Sequence, residues 1–327
     1  MHLLEAFATI LRKHEDQFSI SYFLHLKNRS KKDSIYFMVQ VIKATGEVEE
    51  FSEEKVRSSI KRAGISHELE TQVAAHVISR LYENIPTSEI YHHIIEFLGT
   101  SSHPYTKARY SLKQAIMALG PTGYPFEDFF ADILQTKGYK TQTRQTLLGK
   151  CITHEIDVVA QNDAPLEKIM VEAKFHNMPG TKTDVHVALY TKARFDDIKE
   201  KNGFNAGWLV TNTKISSDAI NYCECSGIKI VSWNHPEQNG LRDLVEKLNL
   251  MPVTILTTLS QTQKQILLDG HVILCKDISA SPEHLTILNL TEEKEKEVLE
   301  EVDFLVNRKM EEPEQETAAQ QTPDLSF

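Results

Sequence analysis

The chain has 327 residues and a mass of 37.3 kDa, enough for two or three domains. Apolar residues make up 41% and charged residues 25%, a globular balance that excludes disorder over most of the length. A net charge of −10 excludes a globally basic nucleic-acid binder, and the acidity is concentrated in residues 291–327, which hold 12 acids and 4 bases. Residues 1–37 mix short apolar patterns with a polar run at 27–33. They are expected to be either an extension ahead of a natural start at Met38 or a helix and strand packed on the next domain.

The pattern from Val39 to Phe51 predicts a hairpin, with Gly46 supplying the turn. Four helices are expected next. Ser52 caps the first, with Glu53 and Glu54 in its first turn and Val56, Ile60 and Ala63 on one face. The second carries Leu69, Val73, Val77 and Leu81 at i+4 spacing. Thr87 is expected to cap the third, and the fourth is expected over 104–119. Gly120-Pro121-Thr122-Gly123-Tyr124-Pro125 is dense in breakers and marks a domain boundary.

A helix through Phe126, Phe129, Phe130, Ile133 and Leu134 follows, ending at Gly138. Strands are expected at 139–147, 154–160, 168–175, 207–211 and 228–233, with helices at 184–200 and 216–226. Strands alternating with helices predict an α/β sheet. Residues 251–309 read as short helices and one longer helix, and residues 310–327 as a disordered acidic tail. Four cysteines, Cys151, Cys223, Cys225 and Cys275, are too few for a disulfide framework and lack zinc spacing. With no apolar run of about 18 residues and no secretory segment, a reducing, cytoplasmic location is expected.

The sharpest chemistry lies at 124–176. His154-Glu155-Ile156-Asp157-Val158-Val159-Ala160 places an acid within an apolar strand, where its desolvation needs compensation. In the next strand Glu172 and Lys174 are two residues apart and share a face. In an antiparallel hairpin Asp157 stands beside that pair. Two carboxylates and a lysine make a hard oxygen site for Mg²⁺ suited to water attack on a phosphodiester. A Glu-x-Lys pair alone is commonly a solvated face. His154 is out of phase with Asp157, whereas His176 is in phase with Glu172 and is the better phosphate contact. Lys182, Lys192 and Arg194 could supply a local basic groove for DNA, or a solvated helix face.

With Gly123-Tyr124-Pro125-Phe126-Glu127 ahead, Glu155-Ile156-Asp157 and Glu172-Ala173-Lys174 in the strands, and Gly207-Trp208-Leu209-Val210-Thr211 after them, this region resembles the PD-(D/E)xK nuclease superfamily in its Mrr-like restriction endonuclease branch. The resemblance implies Asp157, Glu172, Glu127 and the Ala173 carbonyl as ligands of Mg²⁺ or Mn²⁺. It also implies Lys174 as the group that orients or activates water, and a type IV-like endonuclease. Ile156 stands where the name-giving motif has proline.

Residues 39–119, through the turn Gly46, Ser52 with Lys55-Val56, Thr87-Ser88-Glu89-Ile90, and Tyr105, Ala108 and Arg109, resemble an ATP-cone. By physical logic Lys43 and Lys55 offer cations to a triphosphate, and Thr87 opens a helix N-terminus toward it. The resemblance implies that Glu49, Phe51, Ser52 and Val56 line the adenosine. Ala44 departs from the family's second cation. No Walker A loop is present, so hydrolysis of the nucleotide is not expected. Residues 251–309 resemble a helix-hairpin-helix-like module, with either DNA-backbone or protein contact expected of it.

The expected fold is multidomain. An uncertain extension at 1–37 precedes an α-helical ATP-cone with a small hairpin at 38–120. An α/β restriction-endonuclease-like domain with a central mixed sheet follows at 121–250, then a helical module at 251–309 and a tail at 310–327. The expected function is a Mg²⁺-dependent DNA endonuclease regulated by ATP or dATP, working as a homo-oligomer away from membranes. The alternative is a non-catalytic, nucleotide-sensing DNA-binding regulator.

Overall fold

The computed structural model describes residues 39–100, 105–164 and 166–307. The expectations for 1–37 and for 310–327 lie outside the described residues. β1 (Gln40–Ile42) and β2 (Val48–Glu50) pair antiparallel around Gly46, whose φ of +81° is the conformation that favours glycine. α1 (Glu53–Arg62) starts on Ser52, whose hydroxyl accepts from the Lys55 amide at 3.2 Å. α2 (His67–Ile78) stops before Leu81.

A short strand not expected from sequence, β3 (Ile85–Pro86), then pairs parallel with β1. It leads directly into α3 (Thr87–Gly99), so Pro86 occupies the cap position and Thr87 is the first helical residue, with no side-chain cap bond. The fixed φ of proline suits that entry without one. Val41, Phe51, Ile60, Val73, Val77, Ile85, Ile94 and Leu98 close a core of their own.

The expected fourth helix is two pieces, α4 (Thr106–Tyr110) and α5 (Leu112–Met117), broken at Ser111. The Ser111 hydroxyl donates to the Ala108 carbonyl at 2.8 Å and its amide is shared between the Lys107 and Ala108 carbonyls, so the helix tightens locally there while the Ala115 amide still reaches the Ser111 carbonyl. Ala108, Leu112, Ala115, Ile116 and Leu119 turn away from the first core and join the second, larger one.

That second core is built on α6 (Tyr124–Thr136) and a mixed sheet. β4 (Lys140–Leu148), β5 (Thr153–Asp163) and β6 (Leu166–Lys174) run antiparallel in turn. β7 (Lys182–Thr183) and α7 (Val185–Asn202) follow, then β8 (Ala206–Thr211), which is parallel to β6. β9 (Lys214–Ile215) pairs with β7, and α8 (Ser217–Ser226) leads to β10 (Ile228–Val231) beside β8. The order in the large sheet is β10-β8-β6-β5-β4.

Alternation sorts its faces. Val158, Ala160, Ile169, Val171 and Val210 meet α6, while Met170 and Leu209 face the side covered by α7 and α8. Gly203 and Gly227, each left-handed, end those two helices where the chain turns back into the sheet.

α9 (Leu241–Leu248) and a helical module complete the described chain. The module comprises the 3₁₀ turn Val253–Ile255, α10 (Gln261–Asp269), α11 (Cys275–Ala280), the 3₁₀ turn Pro282–Leu288 and α12 (Glu292–Asn307). The module shares the second core, and the Thr254 hydroxyl donates to the Ala115 carbonyl at 2.7 Å. Glu301, read from sequence as part of an acidic run, is fully buried. It accepts from the amides and hydroxyls of Thr257 and Thr258 at 2.7–2.9 Å, which satisfies a charge that burial alone would not tolerate. The four cysteines are free thiols.

Candidate functional site

β5 and β6 stay paired as far as Val158 and Val171, and there the ladder ends. In its place the Asp157 carboxylate accepts the Ala173 amide at 2.6 Å. On β6, Glu172 and Lys174 share the α7 side with Met170. From α7, the buried Arg194 donates its Nη1 to Glu172 Oε2 and stacks over Tyr190 at 5.3 Å. Glu127, in the first turn of α6, is 7% exposed and accepts from Arg144 at 3.3 Å.

Arg144 also pairs with Asp128 at 2.8 Å and lies 5.5 Å from the Tyr124 ring centroid. It holds a φ of +54°, which a β strand residue does not adopt freely. Its position in β4 is opposite Asp157, where the β4–β5 pairing skips a step.

Electrostatics shows that the acids form one group. Burial, then the charge of Asp157, pushes Glu127 up to about 7 from 4.5, against the pull of Arg144. Burial, then Asp157, pushes Glu172 up to about 7, eased by Arg194 and Lys174. Asp157 is raised by burial against the Ala173 amide and Arg194. Burial disfavours the ionised form of all three, and Asp157 adds to it at both glutamates, so positive charge is favoured here. Oxygen donors, with the Ala173 carbonyl available beside them, suit Mg²⁺ or Mn²⁺. Each acid is at present held by a protein partner, and the three do not bring their oxygens within 4.8 Å of one another.

Other expectations change. Arg194 and Lys192 do not form a basic groove, because Arg194 turns inward to Glu172 and Lys192 is tied to Asp196. Once the helix packs on the sheet, its Arg194 lies over the half-buried Glu172 of β6, and the pairing offsets the desolvation of both. Lys182 remains exposed on β7.

His154 contacts Asp197 at 2.8 Å, and Asp197 also accepts the Cys151 amide, so this pair fastens the β4–β5 turn to α7. His176 contacts the Thr183 hydroxyl at 3.1 Å, and its backbone exchanges two hydrogen bonds with the Asn212 amide. Thr183, Thr211 and Asn212 are buried there. Sequence reading missed Arg144, Thr183 and Asn212. The polar run Thr211-Asn212-Thr213 directly after an apolar strand was the available signal for the last.

The second site lies in the N-terminal core. Glu49, Phe51, Ser52, Lys55, Val56 and Thr87 line one cleft of about 150 Å³. Lys43 stands outside that lining and pairs with Glu49 at 2.8 Å, while Lys55 reaches the same Glu49 at 3.0 Å. Tyr91 and Tyr110, not singled out from sequence, stack in the cleft with centroids 5.6 Å apart, and Tyr110 Oη lies 3.0 Å from Ser59 Oγ. The volume is below the roughly 300 Å³ of small ligand pockets.

Three family models match the chain: the ATP cone domain at 39–116, the restriction endonuclease domain of Mrr catalytic type at 120–237, and the AF1548-like C-terminal domain at 251–306. The last falls on the region read from sequence as helix-hairpin-helix-like. An uncharacterized protein of Archaeoglobus fulgidus is 40% identical over 172 residues, covering 52% of this chain and 96% of the relative. The crystal structure of a protein of unknown function, AF1548, is 37% identical, covers 56% of this chain and 98% of its own, and superposes with a TM-score of 0.49. A repair endonuclease from Pyrococcus abyssi is 18% identical, covers 34% and 46%, and has a TM-score of 0.27.

Proposed function

Because the chain belongs to the AF1548-like family and carries an ATP cone ahead of a restriction endonuclease domain, we propose that it is a metal-dependent DNA endonuclease governed by ATP or dATP. The observation that carries this reading is the meeting of the half-buried Asp157 and Glu172 with the buried Glu127 around the Ala173 amide, with Lys174 on the Glu172 face of β6. These acids and the Ala173 carbonyl would hold Mg²⁺ or Mn²⁺, which supplies Lewis-acid polarisation of the phosphate and a more acidic bound water. Lys174 places a positive charge where negative charge grows on the phosphate oxygens. Arg194 fixes the Glu172 carboxylate, and Arg144 does the same for Glu127.

In the first domain the adenine ring lies against Tyr91 and Tyr110, and the phosphates displace Glu49 from Lys43 and Lys55. Domain limits at 38–120, 121–250 and 251–309 accompany this reading. Because one acid group cuts one strand, a double-strand break calls for two chains, which makes a homo-oligomer part of the proposal.

The test is supercoiled plasmid incubated with the full chain and Mg²⁺ or Mn²⁺. Nicked and linear products are expected from the native chain and none from Asp157→Ala, while a DNA-binding assay shows retained affinity in the variant. Equal cleavage by both would remove the assignment. Binding by both without cleavage would leave the regulator alternative standing.

A further inference from the structure

Among the described residues, one set of three side chains brings metal-ligand atoms within 4.8 Å of one another, and it lies far in sequence from the acid group: His76, His93 and Glu96. His76 comes from α2. His93 and Glu96 come from α3, one turn apart, so both project from the same side of that helix. The His76 Nε2 atom is buried and has no hydrogen-bond partner. A buried nitrogen without a partner is unfavourable unless something takes its lone pair.

Arg80 already supplies positive charge at this place. Its Nη1 donates to Glu96 Oε2 at 2.7 Å and lies 3.3 Å from His93 Nδ1, but the contact leaves His76 Nε2 unserved. A guanidinium satisfies two of the three ligands, whereas a compact cation satisfies all three. The Arg80–Glu96 pair is 42% and 57% exposed, the kind of surface pair that contributes little to stability, so Arg80 can swing into solvent. The other nitrogen of His93 faces Glu89 at 3.7 Å, and the second Glu89 oxygen accepts from the Tyr82 hydroxyl at 2.7 Å. A carboxylate behind a histidine is the outer support that metal-bound imidazoles commonly have.

We propose that His76, His93 and Glu96 form a transition-metal site that ties α2 to α3. Two imidazoles and one carboxylate favour Zn²⁺ over Mg²⁺ or Ca²⁺, which take oxygen ligands, and leave the fourth tetrahedral position for water. The tie acts on the cleft wall, because Ile90, Tyr91 and Ile94 on α3 line the cleft on either side of His93 along the chain. The proposal is independent of the nuclease reading, since it uses neither the acid group nor its chemistry.

The experiment uses the full chain, stripped with chelator and titrated with Zn²⁺ alone. Asp157→Ala is the background, so that the acid group does not contribute a zinc site. The Asp157→Ala chain is expected to bind one equivalent of Zn²⁺ and to gain thermal stability from it. Adding His76→Ala is expected to remove that equivalent, with at least a tenfold loss of affinity. Glu96→Gln, a surface change that preserves shape, is expected to weaken Zn²⁺ in the same direction, and it keeps the test open should His76→Ala fail to fold. Co²⁺ in place of Zn²⁺ is expected to give visible absorption bands of a tetrahedral site, lost in both variants. No zinc bound by the Asp157→Ala chain, or zinc bound equally with Glu96→Gln, would overturn the proposal.

Discussion

Asp157, Glu172 and Glu127 are set against one another by burial, and each has recruited a protein partner in response. Replacing Asp157 or Glu172 by alanine removes an oxygen ligand. Loss of a Lewis-acid contribution of several kcal/mol predicts a fall in cleavage of about 10²-fold or more, with circular dichroism and DNA binding unchanged. Arg194 makes a different prediction. It pulls the Glu172 affinity for protons downward, so Arg194→Gln raises the pKa of Glu172, and the acid limb of the cleavage pH profile moves to higher pH. An unmoved limb with merely reduced stability would assign Arg194 to packing.

The same acids set a pH dependence of folding. Glu127 and Glu172 are raised from 4.5 to about 7, so between those values the folded chain binds more protons than the unfolded one. Their contribution to stability is therefore greatest below about pH 4.5 and declines as pH rises toward 7. A divalent cation reverses the penalty by stabilising the ionised forms. Added Mg²⁺ is expected to raise the melting temperature more at pH 8 than at pH 5.5, and an equal rise at both would argue against these acids as the ligands.

At the scale of elements, the cleft proposed for the nucleotide joins the hairpin, α1 and the start of α3. A charge-assisted phosphate contact is worth roughly 1.5–3 kcal/mol, so Lys43→Ala and Lys55→Ala are each expected to weaken ATP or dATP by about 10–100-fold in calorimetry. Tyr110→Ala is expected to weaken the nucleotide through the lost ring face. The measurement belongs on the full chain, because α4 and α5 give Ala108, Leu112, Ala115, Ile116 and Leu119 to the second core. A piece ending near residue 120 would expose them. No heat with either nucleotide at millimolar ligand would contradict the cleft assignment.

Much of this architecture was legible in the residues. Alternation in 154–160 and 168–175 announced the strands, and turn glycines announced their ends. The pairing of Glu172 with Lys174 follows from the period of a strand alone. What stayed hidden has a common cause. β3 and β9 are two-residue strands, too short for any periodicity, and exist only because a neighbour supplies the hydrogen bonds. Arg194 reads as one more surface cation on a polar helix until the sheet places Glu172 beneath it. Glu301 sits in an acidic run, and only the fold brings Thr257 and Thr258 to its carboxylate. The local tightening at Ser111, where one amide is shared between two carbonyls, leaves no mark in the apolar spacing of 104–119.

At the scale of the whole molecule, the two sites share material. The second core runs from α4 and α5 through the sheet to α12. Lys113, on α5, lies 5.7 Å from the Trp233 ring centroid, close after β10. The hairpin turn meets the stretch that leaves β6 just past Lys174: a Cβ on Gly180 would stand 3.5 Å from the Ala44 carbonyl and from Thr45. On the proposed reading, a nucleotide that draws Lys43 from Glu49 acts beside that turn, and the expected coupling to the acid group runs through it. The expected signs are a mass shift in sedimentation with ATP or dATP and a changed ratio of nicked to linear plasmid. Neither change at saturating nucleotide would separate the two sites functionally. The most direct measurement is the initial rate of plasmid cleavage at saturating Mg²⁺, with and without ATP, for the native chain and for Asp157→Ala. The expected result is cleavage by the native chain at a rate that changes with ATP, and none by Asp157→Ala in either condition. Cleavage by Asp157→Ala at the native rate, or no cleavage by the native chain with any nucleotide, would contradict a nucleotide-governed nuclease.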